Sequence, residues 1–449
     1  MTSMPTRVSR ERLVADYRRV RAQTLALCEG LEVEDMVVQT MDDVSPTKWH
    51  LAHMTWFFET VVLSACAPDY RVHDASFADL FNSYYQALGD PFPRGRRGTL
   101  SRPTLREVLA YRHAVDAAML RQLESCDEDV FERAAPLVEI GIGHEEQHQE
   151  LLLMDALHVL AANPRAPAYR APTDRAPTDR AAADGRRSSA SECSGMDPAC
   201  FIPFDASFVE VGASEGSFAY DNERPRHEVH VAAFEIAERP VTVGDYRAFI
   251  EDGAYENSDL WLADGWAELQ RQAWRGPEYW RSCGRPVRAM SLRGLREVHD
   301  DEPVCHVSYY EADAFARWAG CRLPTEFEWE AAAARTPLGG NLLEAGVLHP
   351  MATKPHANAV DEPRVQQCFG DVWEWTSSPY APYPGFVPFE GLLGEYNGKF
   401  MVNQLVLRGG SCLTPRAHLR RSYRNFFYPQ QRWMMAGFRL ARTPARSAA

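Results

Sequence analysis

Two histidines one helical turn apart are the first residues in this chain that could do chemistry. In Ile140-Gly141-Ile142-Gly143-His144-Glu145-Glu146-Gln147-His148-Gln149-Glu150-Leu151-Leu152-Leu153 an apolar approach, a polar middle and a Leu run read as one helix. The i, i+4 spacing puts His144 and His148 on one face. Two neutral imidazoles so placed can grip a transition metal. Such a pair also occurs on solvated helix faces, so a further donor decides the matter. His50 and His53 stand three apart among Trp49, Trp56, Phe57 and Phe58. Either could reach across a helical bundle to the pair. Three imidazoles with no required carboxylate suit zinc, copper or iron. His144-Glu145-Glu146-Gln147-His148 also matches H-E-x-x-H, which would make Glu145 the general base of a zinc hydrolase. Leu151 stands where the longer form of that pattern needs glycine.

The elements that must carry these residues are helical in the first third of the chain. Apolar periodicity covers residues 8–30 and stops at Gly30. Ser45-Pro46-Thr47 is a cap-then-Pro entry to a second helix running through Glu59. Phe81-Asn82-Ser83-Tyr84-Tyr85-Gln86 follows, then an Arg-, Gly- and Pro-rich loop from Pro91 to Pro103. A helix is expected over about 104–125, and the His144 helix should close near Ala162. Long helices with short connections predict an antiparallel bundle over 1–162. Residues 163–200 hold a direct repeat, Arg170–Asp174 and Arg175–Asp179, and almost no large apolar side chains. They read as a disordered linker. From 201 to 445, short alternating segments such as Phe208–Gly212 and His227–Val231, two short helices near Val243–Glu251 and Glu311–Ala319, and dense Trp predict an α+β domain.

The 449 residues favour two or three domains. The net charge of −14 argues against a nucleic-acid or anionic-membrane partner. No apolar run approaches a membrane span, and the first ten residues lack the apolar core of a secretory signal. Ten scattered cysteines, none in C-x-x-C, point to reduced thiols and a cytoplasmic setting.

The N-terminal part resembles a DinB-like four-helix bundle. The C-terminal part resembles the sulfatase-modifying-factor (formylglycine-generating-enzyme) domain, a C-type-lectin-like α+β fold. That second likeness rests on Tyr220-Asp221-Asn222-Glu223-Arg224-Pro225, Arg322–Glu330, Gly370-Asp371-Val372-Trp373-Glu374-Trp375, Arg408-Gly409-Gly410-Ser411 and Gly437-Phe438-Arg439. With Ser45–His53 and the His144–His148 pair, the whole resembles the EgtB type of sulfoxide synthase from ergothioneine biosynthesis. The resemblance implies Fe(2+) held by His53, His144 and His148, with His50 packing behind them. It implies O2-dependent joining of a thiol to C2 of the hercynine imidazole, the sulfur leaving as a sulfoxide. A selenium-inserting relative and a non-catalytic thiol-binding scaffold are the other members of that neighbourhood.

Other roles are carried by the same resemblance. Tyr84 and Tyr85 match the paired active-site tyrosines of one branch and would supply a proton or hydrogen atom; other branches take the tyrosine from the C-terminal domain. Asn425, Phe426 and Phe427 match the segment lining the hercynine site. Phe-Phe here replaces the Trp-Asp of some relatives, which groups the chain with cysteine users rather than gamma-glutamylcysteine users. Arg94 or Arg97 could hold the thiol's carboxylate, and Gln147 could orient a substrate. Thr414 and Leu419 stand where formylglycine generators place their two cysteines. The C-terminal domain is therefore expected to wall a pocket rather than oxidise protein cysteines. Oligomeric state is not readable from these motifs.

Overall fold

The computed structural model describes residues 8–170, 200–353 and 364–444. The described chain divides into two units. The first holds the residues up to Tyr169 together with two excursions from the later sequence, Ala213–Pro225 and Pro382–Phe400. The second holds the rest of the C-terminal half.

The first unit is a four-helix bundle of α1 (Arg10–Cys28), α2 (Thr47–Phe57), α3 (Leu105–Ser125) and α4 (Glu128–Ala161). Three of the four starts have a side-chain cap, whereas α2 begins after Pro46 with none, contrary to the cap expected at Ser45. The Ser9 hydroxyl caps the amide of Arg12, Thr104 and Glu107 form a reciprocal capping box, and Asp127 caps Val130. Burial follows helical spacing: Leu13, Tyr17, Val20, Thr24 and Leu27 on α1; Val108, Tyr111, Val115 and Met119 on α3. Each such apolar side chain contributes about 1.5–3 kcal/mol on burial. The second helix differs from its expected form. Its α-helical part ends at Phe57 and Phe58–Leu63 widens into a π-helical turn. Of the expected linker, 171–199 lie outside the described residues. Within 163–170, Tyr169 is buried and its hydroxyl donates to the Leu27 carbonyl, so this stretch is tied to α1.

The polar middle of α4 is divided between two faces. Glu145 and Gln149 turn toward α1 and α3. The Glu145 carboxylate accepts from Arg21 at 2.8 Å, from Thr24 Oγ1 at 2.6 Å and from Arg112, and is fully buried. Gln149 donates to the Val20 carbonyl and to Thr24, each at 3.0 Å. Burial opposes ionisation of Glu145, but Arg112 and Arg21 outweigh it and pull the carboxyl down to about 2. A depressed carboxylate pKa adds stability that is complete above the unfolded value of about 4.3 and is lost as pH falls toward the folded one. Glu145→Gln leaves two guanidiniums short of their counter-charge. It should destabilise the protein by about 3–5 kcal/mol at neutral pH, and the deficit relative to wild type should shrink between about pH 4 and 2 in chemical denaturation.

The second unit is the α+β half. Its strands are β1 (Phe201–Phe204), β2 (Ser207–Val211), β3 (His227–Val231), β4 (Phe234–Ala237), β5 (Trp280–Ser282), β6 (Val287–Ser291), β7 (Gly294–Val298), β8 (Trp373–Pro379), β9 (Leu405–Arg408), β10 (Asn425–Phe427), β11 (Ala436–Gly437) and β12 (Ala441–Arg442). They form sheets ordered β1-β4-β12, β10-β9-β8-β11, β2-β3 and β5-β6-β7. Helices α5 (Val243–Glu251), α6 (Ala263–Gln272), α7 (Tyr309–Trp318) and α8 (Glu326–Ala333) accompany them. The long irregular connections are held by buried aromatic and ionic anchors. Trp329 packs in the core with Phe204, Phe234 and Ile236. Its indole N–H donates to Glu374, which also receives the fully buried guanidinium of Arg439. Arg439 further donates to the Ala237 and Gln366 carbonyls, so one side chain satisfies backbone from two loops. Among the described residues no helix is long and apolar enough to cross a membrane.

Candidate metal centre

His53 comes from α2, His144 and His148 from α4, and the bundle brings the three rings together. One ring nitrogen of each lies within 4.8 Å of the other two. Ring centroids are 5.0 Å apart for His53–His144, 4.8 Å for His53–His148 and 4.5 Å for His144–His148. The hydrogen bonds set the tautomers. His53 Nδ1 donates to the Phe81 carbonyl at 2.6 Å, which leaves a bare lone pair on Nε2. His50 Nε2 lies 3.0 Å from Asp155, whose carboxylate also accepts the Ser45 amide at 2.8 Å. A proton on His50 Nε2 makes its Nδ1 an acceptor. That atom lies 2.9 Å from His148 Nδ1, which must then be the donor, freeing His148 Nε2.

These donors fit a metal ion. His53 Nε2 and both nitrogens of His144 are buried without a hydrogen-bond partner. Leaving such atoms unsatisfied costs about 1–3 kcal/mol each, and a cation at the shared point would satisfy one nitrogen of every ring. Burial holds all three imidazoles in their neutral, ligating form. His53 and His148 sit well below the ordinary histidine range, and His144 is brought down to about 3. Carboxylate–histidine relays behind a metal ligand fix its orientation, and their loss typically costs 10–100-fold in affinity. Asp155→Asn and His50→Ala should each weaken metal binding by about that factor in a competitive chelator titration, while the ion still binds.

Glu145, the candidate hydrolytic base, is not at this centre. It lies one residue round the helix, locked between Arg21 and Arg112. It has no route to a metal-bound water without dismantling that pair.

Two tyrosines given no role from the sequence come to this stretch of α4 instead. Tyr396, in the excursion Pro382–Phe400, has its ring centroid 5.8 Å from that of His144, and its hydroxyl donates to Gln147 Oε1. Tyr220, from the other excursion, stacks on Tyr396 at 5.3 Å and 17°. The excursions are pinned to each other through Asp221, which accepts from Asn397 at 2.7 Å and from the Phe389 amide at 3.2 Å. They are pinned to the bundle at Gly143, where a Cβ would lie 2.6 Å from the Tyr220 hydroxyl and 3.3 Å from Phe218. Glycine inside a helix costs about 1 kcal/mol; here it makes room for the tyrosine next to a ligand. The sequence signal for Tyr396 was thin, an aromatic residue in Gly394-Glu395-Tyr396-Asn397-Gly398 with no periodicity to place it.

The remaining expected residues are distributed as follows. Tyr85 is fully buried against Trp56, 5.7 Å between centroids, and Tyr84 stacks on Tyr85 at 4.6 Å. Neither makes a ring contact with the three histidines. Arg97 is buried, with its guanidinium 3.4 Å from the Trp49 ring centroid. It donates to Ser45 Oγ at 2.9 Å and Ser83 Oγ at 3.0 Å, and among the described residues no carboxylate pairs with it. Arg94 is exposed and donates to the Asp43 carbonyl. Asn425, Phe426 and Phe427 form β10 in the second unit. There Asn425 Oδ1 accepts the Phe426 amide at 3.0 Å, Phe426 stacks on Tyr380 at 4.0 Å, and Phe427 meets Trp433 edge-on.

Residues 16–152 match the DinB superfamily, and residues 204–444 match the sulfatase-modifying factor enzyme 1-like domain. Whole-chain relatives join the two. The hercynine oxygenase of Mycobacterium tuberculosis is 35% identical, the alignment covering 96% of this chain and 99% of that one. That of Mycolicibacterium smegmatis is 33% identical over 97% and 99% of the two chains. That of Mycolicibacterium thermoresistibile is 32% identical over 98% and 96%.

Proposed function

The chain belongs to the hercynine oxygenase family, an oxygenase family, and from that premise we propose that it is an Fe(II)- and O2-dependent sulfoxide synthase of ergothioneine biosynthesis. It joins a thiol, cysteine in preference to gamma-glutamylcysteine, to C2 of the hercynine imidazole with oxygenation of the sulfur. The observation that carries this reading is the trio of neutral imidazoles with lone pairs on a common point and no carboxylate among them. Ferrous iron bound by His53, His144 and His148 would supply a Lewis acid that stabilises a thiolate at neutral pH, an electron source for O2, and open coordination positions for the reactants.

The chain's own residues do the rest. Tyr396 holds a phenolic proton beside His144, and Gln147 keeps that hydroxyl directed by accepting it. Release of the Tyr396 proton toward the oxygen being reduced favours C–S coupling over plain oxidation of the thiol. Arg97, rigid on Trp49 and lacking an acidic partner, is the anchor for the thiol's carboxylate. Arg94 serves that carboxylate from the exposed side. Asn425, Phe426 and Phe427 receive hercynine, the rings facing its trimethylammonium group. The zinc-hydrolase alternative is disfavoured by Glu145, whose carboxylate is already spent on two arginines.

The test is oxygen uptake with product mass spectrometry on protein loaded anaerobically with iron or with zinc. The reading expects a hercynine–thiol sulfoxide only when iron, hercynine and thiol are all present, and O2 uptake far faster with hercynine than without it. Uptake as fast without hercynine as with it, or equal turnover with zinc, would refute it.

A further inference from the structure

The ring of His53 is flanked by two indoles on its own helix. Trp49 stacks on it at 4.6 Å and 12°, Trp56 at 5.6 Å and 17°. The two are electrostatically unequal. The Arg97 guanidinium lies 3.4 Å from the Trp49 ring centroid and would repel a positive charge placed on that indole. Among the described residues no guanidinium or ammonium faces Trp56. Its indole N–H is buried and has no hydrogen-bond partner, so an oxidised Trp56 has nowhere to send its proton. It would hold a hole only in transit.

From Trp56 the aromatic contacts continue through two tyrosines, the second of which also meets Phe400 at 5.1 Å and Tyr396 at 6.5 Å. Tyr85 follows at 5.7 Å, then Tyr84 at 4.6 Å and 29°. Tyr85 is fully buried, whereas Tyr84 is half-buried. Electron transfer falls off exponentially with separation, so rings in contact pass a charge far faster than rings spaced by a side-chain layer. Lys399 lies 5.0 Å from the Tyr84 ring centroid with its ammonium 2.7 Å from Glu395. A cation there disfavours a charged ring and favours exit as a neutral phenoxyl.

We propose that Trp56, Tyr85 and Tyr84 form an escape route for an oxidising equivalent stranded at the three-histidine centre when O2 is reduced without hercynine in place; this rests on the oxygenase reading above. Trp56 gives up one electron toward the centre. Trp56 is refilled by the tyrosine pair, which loses one electron and releases one phenolic proton to water at the Tyr84 end. A thiol in solution then gives Tyr84 a hydrogen atom and becomes a thiyl radical. The net result is one thiol oxidised by one electron, one proton released and the imidazole ligands spared.

Two measurements test it. In the first, metal-free protein is oxidised by one electron with azide radical and freeze-quenched for electron paramagnetic resonance. Wild type should accumulate a tyrosyl signal that Tyr84→Phe largely removes. This arm does not depend on any oxygen chemistry, so its result is separable from the fate of the functional reading. In the second, iron-loaded protein is exposed to O2 and cysteine without hercynine, then mapped by peptide mass spectrometry and re-titrated with metal. Wild type should pass its oxidation on to cysteine, leave the three histidines unmodified and keep its metal capacity. Trp56→Phe should carry the oxidation on His53, His144 or His148 and lose capacity several-fold faster. Should that buried substitution fail to fold, Tyr84→Phe carries the same expectation at a more tolerant position. A tyrosyl signal unaffected by Tyr84→Phe, or ligand oxidation equal in wild type and variants, would overturn the proposal.

Discussion

Replacing His144 by alanine is expected to abolish oxygen consumption and to weaken metal binding by more than the roughly 100-fold upper range for residues that merely orient a ligand. Both of its ring nitrogens are buried without a hydrogen bond, so nothing but an ion at the centre uses them. The two remaining imidazoles, one from each helix, make a bidentate site. The fold should survive. The lost ring packs against Phe57 at 4.4 Å, but its polar atoms contribute no bond in the metal-free protein. Removing them relieves a desolvation cost that offsets the lost packing. Metal-free His144→Ala should therefore melt near the metal-free wild type, while the stabilisation wild type gains on adding metal should vanish. His53→Ala should behave alike at the centre. It would also strand the Phe81 carbonyl, which accepts from His53 Nδ1, and so should cost stability as well. This contrast between two ligands distinguishes loss of metal from loss of fold.

Tyr396→Phe should slow formation of the coupled sulfoxide by about 10²–10⁴-fold, the usual worth of a positioned proton donor. The substitution deletes one oxygen and keeps the ring, so the stack on Tyr220 persists and the excursions stay in place. Oxygen uptake should continue, with the thiol oxidised alone as the main product. The ratio of coupled to uncoupled product reports the phenol's role directly, since a variant that merely loosened the pocket would raise KM for both products together. Gln147 loses its hydroxyl donor in this variant and should show it as a small change in hercynine KM.

The parts of this site that could be read from the chain are those written in one helix. His144 and His148 lie four residues apart, and apolar periodicity marked the helices that frame them. His53 was separable from His50 only through the family resemblance. The structure supplies a physical reason for the split, because His50 spends both ring nitrogens on Asp155 and His148. What could not be read depends on distant partners. Tyr396 reaches Gln147 across 249 positions, in a loop with no period to betray its register. Glu145 sits in a sequence pattern that suggests a base, but its environment is made by Arg21 and Arg112 on two other helices. Arg97 looked like one of several loop arginines. Its burial on Trp49 and its lack of an acidic partner, visible only in three dimensions, set it apart from exposed Arg94. In the second unit the buried pairs of Arg439 with Glu374 and Arg424 with Glu326 explain why charged residues such as Glu326, Glu374 and Arg439 recur in the motifs that carry its domain likeness.

The central claim is that three imidazoles from two helices hold one ferrous ion. Crystals of protein loaded anaerobically with iron, measured on either side of the iron absorption edge, test it most directly. The expected result is a single anomalous peak within bonding distance of His53 Nε2, His148 Nε2 and one nitrogen of His144. Iron found elsewhere, or a centre in which any one of these rings stays unligated, would contradict it.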